Sequence, residues 1–280
     1  MAVPVPRRAS GIPTVHSMHS NVQERAEALA GKAFLGGPVE DFEEGGRLQL
    51  VTLLREGLQP NAKVLDVGCG CLRGGYWTIH FLDPECYFGI EPAREVLEVG
   101  LDRILEPGLE EAKRPRFASN DDWDFSGFGV KFDFVIARSV WSHASKAQIK
   151  TMLDSFMRSA SPGGKMLVSY LPSGWGRYVS GGQRGLRLYA RDYKGDEWVG
   201  RDHEGSHFLQ PGLTRGKNFV NHSRRWILAE CRSRGLTGRE LPYGQFHRQR
   251  WLCVSSDHPE AQSANGRDQT VPDQSPVAPR

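Results

Sequence analysis

The residues best equipped for chemistry lie in one stretch, Val64-Leu65-Asp66-Val67-Gly68-Cys69-Gly70-Cys71-Leu72-Arg73-Gly74-Gly75. A short apolar run ends in an acid and a glycine turn, then enters the amphipathic segment 76–82. That is the pattern of a buried strand feeding a helix. Gly68 and Gly70 let the backbone approach a ligand closely and adopt left-handed φ. In open α/β sheets, ligands lie just outside the carboxyl ends of such strands. The turn is therefore read as the seat of a nucleoside-like cofactor.

Two cofactor classes compete for it. A dinucleotide site requires G-x-G-x-x-G, with a pyrophosphate on the helix N-terminus. Gly68 and Gly70 fit, but Arg73 stands at the third position and glycine arrives one residue late. Asp66 suits a cationic ligand better than a pyrophosphate. S-adenosylmethionine carries a sulfonium and an ammonium and no phosphate, so it is preferred. A nicotinamide oxidoreductase is the weakest contender, since the chain also lacks the Tyr-x-x-x-Lys pair of many short-chain dehydrogenases.

The elements that must position this turn alternate between strand and helix. A leading helix near 43–58 is marked by Leu50, Val51, Leu54 and Leu58. Strands are expected at 63–67, 87–90, 115–118, 132–137, 165–170, 236–241 and 250–255. Leu97, Leu101, Ile104 and Leu105 share a helix face after the second strand. Ser145-Lys146-Ala147-Gln148 is a capping box, followed by the stripe Ile149, Met152, Leu153, Phe156 and Met157. Ser161-Pro162-Gly163-Gly164 stops that helix, and Ser223 caps another that ends near Gly235. The alternation predicts an α/β, Rossmann-like fold: a mostly parallel seven-stranded sheet with helices on both faces and an antiparallel edge strand.

The chain of 280 residues is sized for one domain with appendages. Residues 1–20 lack periodicity, and 257–280 hold four prolines and no aromatic residue, so both are read as disordered tails around a domain at 21–256. Residues 172–221 contain ten glycines and seven aromatics and are too long for a passive connection. They are expected to form a substrate lid, with a hairpin turning at Lys194-Gly195 between 186–193 and 197–201. The formal net charge of +3 is too weak to imply nucleic acid, and the arginines at 177–191 and at 224, 225, 232, 234 and 239 read as a solvated surface. Five cysteines, irregularly spaced, read as reduced thiols in a cytoplasmic protein, with Cys69 and Cys71 as small turn residues rather than zinc ligands. No apolar run reaches membrane-spanning length, and no apolar block follows Arg7 and Arg8 to make a secretory signal.

Residues 64–70 resemble the first motif of the class I S-adenosylmethionine-dependent methyltransferases, and later landmarks over 48–255 follow in that family's order. The resemblance implies that Glu91, ending the second strand, holds both ribose hydroxyls, since a carboxylate offers two acceptors to two vicinal donors. It implies that Asp121 or Asp122 accepts the adenine amino group, with Trp123 against the ring. It places Arg138 and Ser139 at the methionine end. Arg73 is left between an internal ion pair and the cofactor carboxylate. Residues 68–75, 139–143 and 240–251 resemble a bacterial small-molecule or glycan-associated subgroup.

The expected activity is methyl transfer to a small-molecule or sugar-containing acceptor, at oxygen rather than nitrogen. His143, just past the fourth strand, is the leading general base. His203, His207 and His222 are rivals from the lid side, and Tyr243 and His247 are expected at the pocket wall. Ala137-Arg138-Ser139-Val140 replaces the Asp/Asn-Pro-Pro-Tyr/Phe of enzymes that methylate nucleobase or glutamine nitrogen, no Pro-Cys nucleophile is present, and no acidic magnesium site can be assembled. The rival readings are a catalytically silent binding or regulatory protein and an RNA methyltransferase using the arginine-rich lid.

Overall fold

A computed structural model describes residues 21–180, 183–189, 220–242 and 249–256. Helix α1 (Val22–Leu29) precedes α2 (Phe42–Arg55), and strand β1 (Val64–Val67) then leads through the glycine turn to α3 (Gly75–Phe81). Strand β2 (Tyr87–Ile90) is followed by α4 (Arg94–Val99), which continues as a π-helical turn over Gly100–Ile104. After α5 (Leu109–Lys113) come β3 (Arg116–Ala118) and β4 (Phe132–Ala137), then α6 (Lys146–Ser159) and β5 (Ala160–Tyr170). The hairpin β6 (Gly174–Ser180) and β7 (Gln183–Tyr189) stands apart, and α7 (Arg224–Arg232), β8 (Leu236–Glu240) and β9 (Arg250–Ser256) complete the chain.

The main sheet has seven strands in the order β3-β2-β1-β4-β5-β9-β8. Strands β1 to β5 pair in parallel, and β9 is antiparallel to both β5 and β8. The reversed strand thus lies one place in from the edge. Connections run outward from β1 in both directions, so the strand order reverses between β1 and β4, and a crevice opens there at the carboxyl edge.

Strand alternation sorts the core onto two faces. Leu65, Val67, Phe88, Val135 and Ala137 meet Ile149, Met152 and Phe156 of α6 and Ile227 of α7. Val64, Phe134, Ile136 and Leu167 meet Leu53 of α2, Ile79 of α3 and Leu97 of α4. Both faces are covered, which is why these strands read as near-continuous apolar runs.

Several details differ from the periodicity. Val51 and Leu54 of α2 are exposed, and the helix instead buries Phe42, Gly45, Gly46, Gln49, Thr52 and Leu53. The reason is close approach: a Cβ on Gly46 would stand 2.2 Å from the Arg73 carbonyl oxygen. Met157 also faces outward, although Ser145 caps α6 with Gln148 as expected. Strand β5 begins five residues early because Phe132 pairs with Ala160 and Phe134 with Lys165, so residues 161–164 bulge from the ladder. Residues 186–189 pair with Gly174–Arg177 rather than with a later strand. The signal for that hairpin was Gly181-Gly182, between the paired Ser180 and Gln183. The expected turn at 194–195 and both tails lie outside the described residues. No helix among the described residues is long and apolar enough to cross a membrane.

Candidate functional site

The glycine turn is a backbone cradle. Gly68 and Gly70 have φ of +70° and +56°, and Leu72 is also left-handed at +64°. The Gly68 and Cys69 amides both donate to the Ile90 carbonyl, at 2.8 and 3.1 Å, tying the turn to the end of β2. A Cβ on Gly68 would meet Val140 Cγ2 at 2.9 Å, whereas one on Gly70 would meet nothing within 4 Å. Gly70 therefore borders open space at the carboxyl edge, where a ligand can touch main chain. Gly100 explains the π turn beneath it: a Cβ there would lie 2.7 Å from the Cys71 backbone.

Glu91 reaches back across this cradle. Its Oε2 accepts from the Gly70 amide at 2.9 Å and its Oε1 from the Ala93 amide at 3.0 Å. A carboxylate fixed by two amides keeps lone pairs for further donors. Asp66 is almost fully buried at 5% exposure, and the Tyr87 hydroxyl donates to its Oδ2 at 2.8 Å. Burial pushes the Asp66 carboxyl up to about 7, against the Tyr87 hydrogen bond, with Glu91 reinforcing the rise and Arg138 opposing it. Burial and the nearby Arg73 charge bring the Arg138 guanidinium down to about 9. The crevice thus sets a near-neutral acid and a cation side by side, beside an open main-chain turn. That donor set fits an aminoacyl-bearing sulfonium nucleoside: Asp66 for its ammonium, Arg138 for its carboxylate and Glu91 for its ribose.

Arg73 points its hydrogen bonds towards the entry of α2. Its guanidinium donates to the Phe42 carbonyl at 2.9 Å, the Gly37 carbonyl at 3.1 Å and the Asp41 carbonyl, and sits over the Phe42 ring. It clamps the entry to α2 onto the turn. These hydrogen bonds of Arg73 go to three carbonyls rather than to a carboxylate.

After β3, Asp122 Oδ1 accepts from Asn120 Nδ2 at 2.7 Å and from the Asp124 amide at 3.0 Å. These bonds hold its carboxyl below the usual range. Asp122 also lines a cleft of about 370 Å³ running along β3 with Arg116, Asn120, Asp124 and Phe128, which Glu91 and the glycine turn do not border. Asp121 is exposed and has no hydrogen bond among the described residues. Trp123 is left-handed at +64° and packs half-buried on the core.

The loop after β4 carries a second set of candidate groups. Ser139 is left-handed at φ +61°, and His143 is nearly buried in the turn that follows, its amide donating to the Val140 carbonyl at 3.0 Å. The ends of the 172–221 insertion grip this loop. The Val220 amide donates to the Ser142 carbonyl at 2.8 Å, and His222 Nε2 lies 2.9 Å from the Ala144 carbonyl. Pro172 and His222 form a parallel bridge. His222 is fully buried beside Trp226 and anchors the loop. His203, His207, Tyr243 and His247 lie outside the described residues.

Three participants carried no sequence signal as a group. Ser169 Oγ accepts from the Ser139 amide at 2.7 Å and donates to Gln249 Oε1, while Gln249 Nε2 donates to Ser139 Oγ, each of these two at 2.5 Å. Tyr87 was legible only as a strand residue, although a buried phenol needs a partner. Cys69 and Cys71 are both buried, and burial pushes the Cys71 thiol up to about 12.

The methyltransferase-domain family matches residues 65–166, from β1 into β5 and including the glycine turn and Glu91. Solved structures share the fold. A magnesium protoporphyrin IX methyltransferase from Synechocystis with bound S-adenosylhomocysteine is 17% identical, with TM-score 0.51 over 83% of this chain and 93% of that one. A glycopeptide N-methyltransferase is 15% identical, with TM-score 0.51 over 75% and 94%. A methyltransferase from Clostridium acetobutylicum is 12% identical, with TM-score 0.52 over 77% and 92%.

Proposed function

We propose that the chain is a class I S-adenosylmethionine-dependent methyltransferase that methylates a small-molecule or sugar-containing acceptor at oxygen, a reading supported by the methyltransferase-domain match over residues 65–166. The cofactor, when bound, supplies an electrophilic sulfonium methyl. In this reading Asp66, Gly68, Gly70, Glu91, Asp121 and Arg138 hold the cofactor. Asp122 and Trp123 shape the turn that presents Asp121, and Arg73 keeps the cradle in place.

One observation carries the acceptor assignment: beside the charged Arg138, the β4 side of the crevice is furnished with hydroxyl, amide and imidazole groups from Ser139, Ser142, Gln249 and His143. A hydroxyl acceptor loses its proton as it attacks, and an imidazole is suited to take it. In-line displacement depends on positioning. The Val220 and His222 contacts on either side of His143 support a lid role for 172–221, since the end of that segment is bonded to the loop that carries the candidate base. Named neighbours of this fold act on a metalloporphyrin and a glycopeptide, so the acceptor is argued from the site's own groups.

Calorimetric titration with S-adenosylmethionine and S-adenosylhomocysteine, NAD(H) as control, tests the cofactor site; micromolar binding is expected in the parent. Labelled cofactor is then incubated with panels of phenols, hydroxylated sugars and amines. Label confined to the amine panel would refute the oxygen assignment.

A further inference from the structure

The ring formed by Ser139, Ser169 and Gln249 joins the carboxyl ends of β4 and β5 to the start of β9. Each member uses one capacity on another: the Ser139 amide donates to Ser169 Oγ, Ser169 donates to Gln249 Oε1, and Gln249 Nε2 donates to Ser139 Oγ. Ser169 is fully buried, whereas Ser139 and Gln249 are half-buried and reach the surface of the crevice.

The inventory of what is left is informative. A serine hydroxyl has one proton and two lone pairs, and a carboxamide has two N–H groups and two lone pairs. After the ring bonds are counted, Ser139 retains its O–H proton and one lone pair, and Gln249 retains one N–H and one lone pair. The exposed rim of the ring therefore both donates and accepts, and carries no charge.

Its position assigns it a side. Gly68, Gly70 and Glu91 place the cofactor over β1 and β2, while the strand order reverses between β1 and β4. A reaction partner must then approach over β4, β5 and β9, where the ring lies. Ser139 also holds a left-handed backbone that a non-glycine residue adopts only when its surroundings enforce it, here through the amide bond to Ser169.

We propose that Ser139 and Gln249, braced by Ser169, form the specificity-determining anchor for the methyl acceptor, and that they select a neutral hydroxyl-bearing group over an ammonium or a carboxylate. The proposal deepens, and rests on, the methyltransferase reading. A hydroxyl matches a rim that donates and accepts once each; an ion would leave one partner of each pair unsatisfied.

The test needs no knowledge of the acceptor. Sinefungin has an amine-bearing carbon where S-adenosylhomocysteine has its sulfur, which sets the amine at the place of the transferring methyl, so the change in their affinity ratio between parent and variant reports on groups facing that place. In Gln249→Glu the ring survives, because the Ser139 hydroxyl can turn to donate to the new carboxylate, but the rim becomes anionic. The expected result is a gain of about tenfold or more in the sinefungin preference, the size of one close charge pair away from bulk water. S-adenosylhomocysteine affinity should stay within twofold. Gln249→Leu should lower the preference. Ser139→Gly keeps the left-handed backbone and removes the hydroxyl, and carries the same expectation of a lowered preference if Gln249→Glu fails to fold. An unchanged ratio in folded variants that still bind S-adenosylhomocysteine would overturn the anchor while leaving the cofactor site intact. Failure of the folded parent to bind either nucleoside would instead overturn the methyltransferase reading itself.

Discussion

Tyr87→Phe should weaken cofactor binding in a way that disappears at high pH. The variant removes one oxygen from a buried strand and with it the 2.8 Å hydrogen bond to Asp66. Burial has already lifted the Asp66 carboxyl to about 7, and the Tyr87 hydroxyl is the largest influence holding it down. A hydrogen bond to a charged group is worth about 1.5–3 kcal/mol, which at about 1.4 kcal/mol per unit raises the carboxyl by a further one to two units, roughly. In the parent at pH 7, about half of Asp66 is ionised and ready for a cationic ligand, against roughly 1–10% in the variant. Apparent affinity scales with the competent fraction, so S-adenosylhomocysteine should bind about 5- to 50-fold more weakly at pH 7 and within about twofold at pH 9. Titration calorimetry across pH 6–9, in buffers of different ionisation enthalpy, measures both affinity and protons released. The parent should release about half a proton at pH 7. A loss of equal size at every pH would mean that Tyr87 acts through packing, and Asp66 protonation would drop out of the account.

Glu91→Ala removes the acceptor for the Gly70 and Ala93 amides as well as the ribose partner, so S-adenosylhomocysteine affinity should fall about 100-fold or more, read by the same titration. Asp66→Asn should alter the stability profile of the ligand-free protein. A carboxyl raised from 3.8 to about 7 binds its proton more tightly folded than unfolded, so its contribution is present below pH 4 and is lost as pH rises towards 7. The loss is about 4 kcal/mol in full, and denaturant melts at pH 5 and 8 should show a smaller difference in the Asn variant. Arg73→Lys should destabilise by about 2–4 kcal/mol, because a point charge cannot serve three carbonyls that a planar fork serves together. Thermal melts with and without ligand separate that loss from any change in affinity. His143→Gln should lower turnover by about 10² or more while leaving S-adenosylhomocysteine affinity unchanged; near-normal turnover would remove His143 from the role of base.

The half of the crevice proposed for the cofactor was legible because its requirements are local. A main-chain turn that must admit a ligand needs glycine at fixed offsets after a strand, and Gly68, Gly70 and Glu91 announce it within 24 residues. Strands buried on both faces declare themselves by unbroken apolar runs, so β2 and β4 begin and end where expected. Helix faces were harder to read where packing runs through small residues. The α2 interface is made of Gly45, Gly46 and Thr52 rather than the leucines that dominate the pattern. Arg73 stood close enough to the cradle to suggest a ligand contact, and only the path of 37–42 shows where its donors go.

The acceptor half follows a different logic, and the difference bears on how selectivity can arise in this fold. Ser139 and Ser169 stand 30 residues apart, and Ser169 and Gln249 stand 80 apart. None of the three is unusual for its stretch of sequence, so only the sheet order that sets β9 against β5 brings them together. The same holds for His222, whose bond to Ala144 spans 78 positions. In the proposed reading, cofactor binding is fixed by backbone geometry that few substitutions tolerate, while the acceptor rim is assembled from side chains on separate elements. A single exchange there, such as Gln249→Glu, can change the rim's charge without disturbing the glycine turn. Selectivity in this protein is consequently expected to move by substitutions at 139, 169 and 249 that leave S-adenosylhomocysteine affinity constant. Variants that change both together would place these residues on the cofactor's side of the crevice instead.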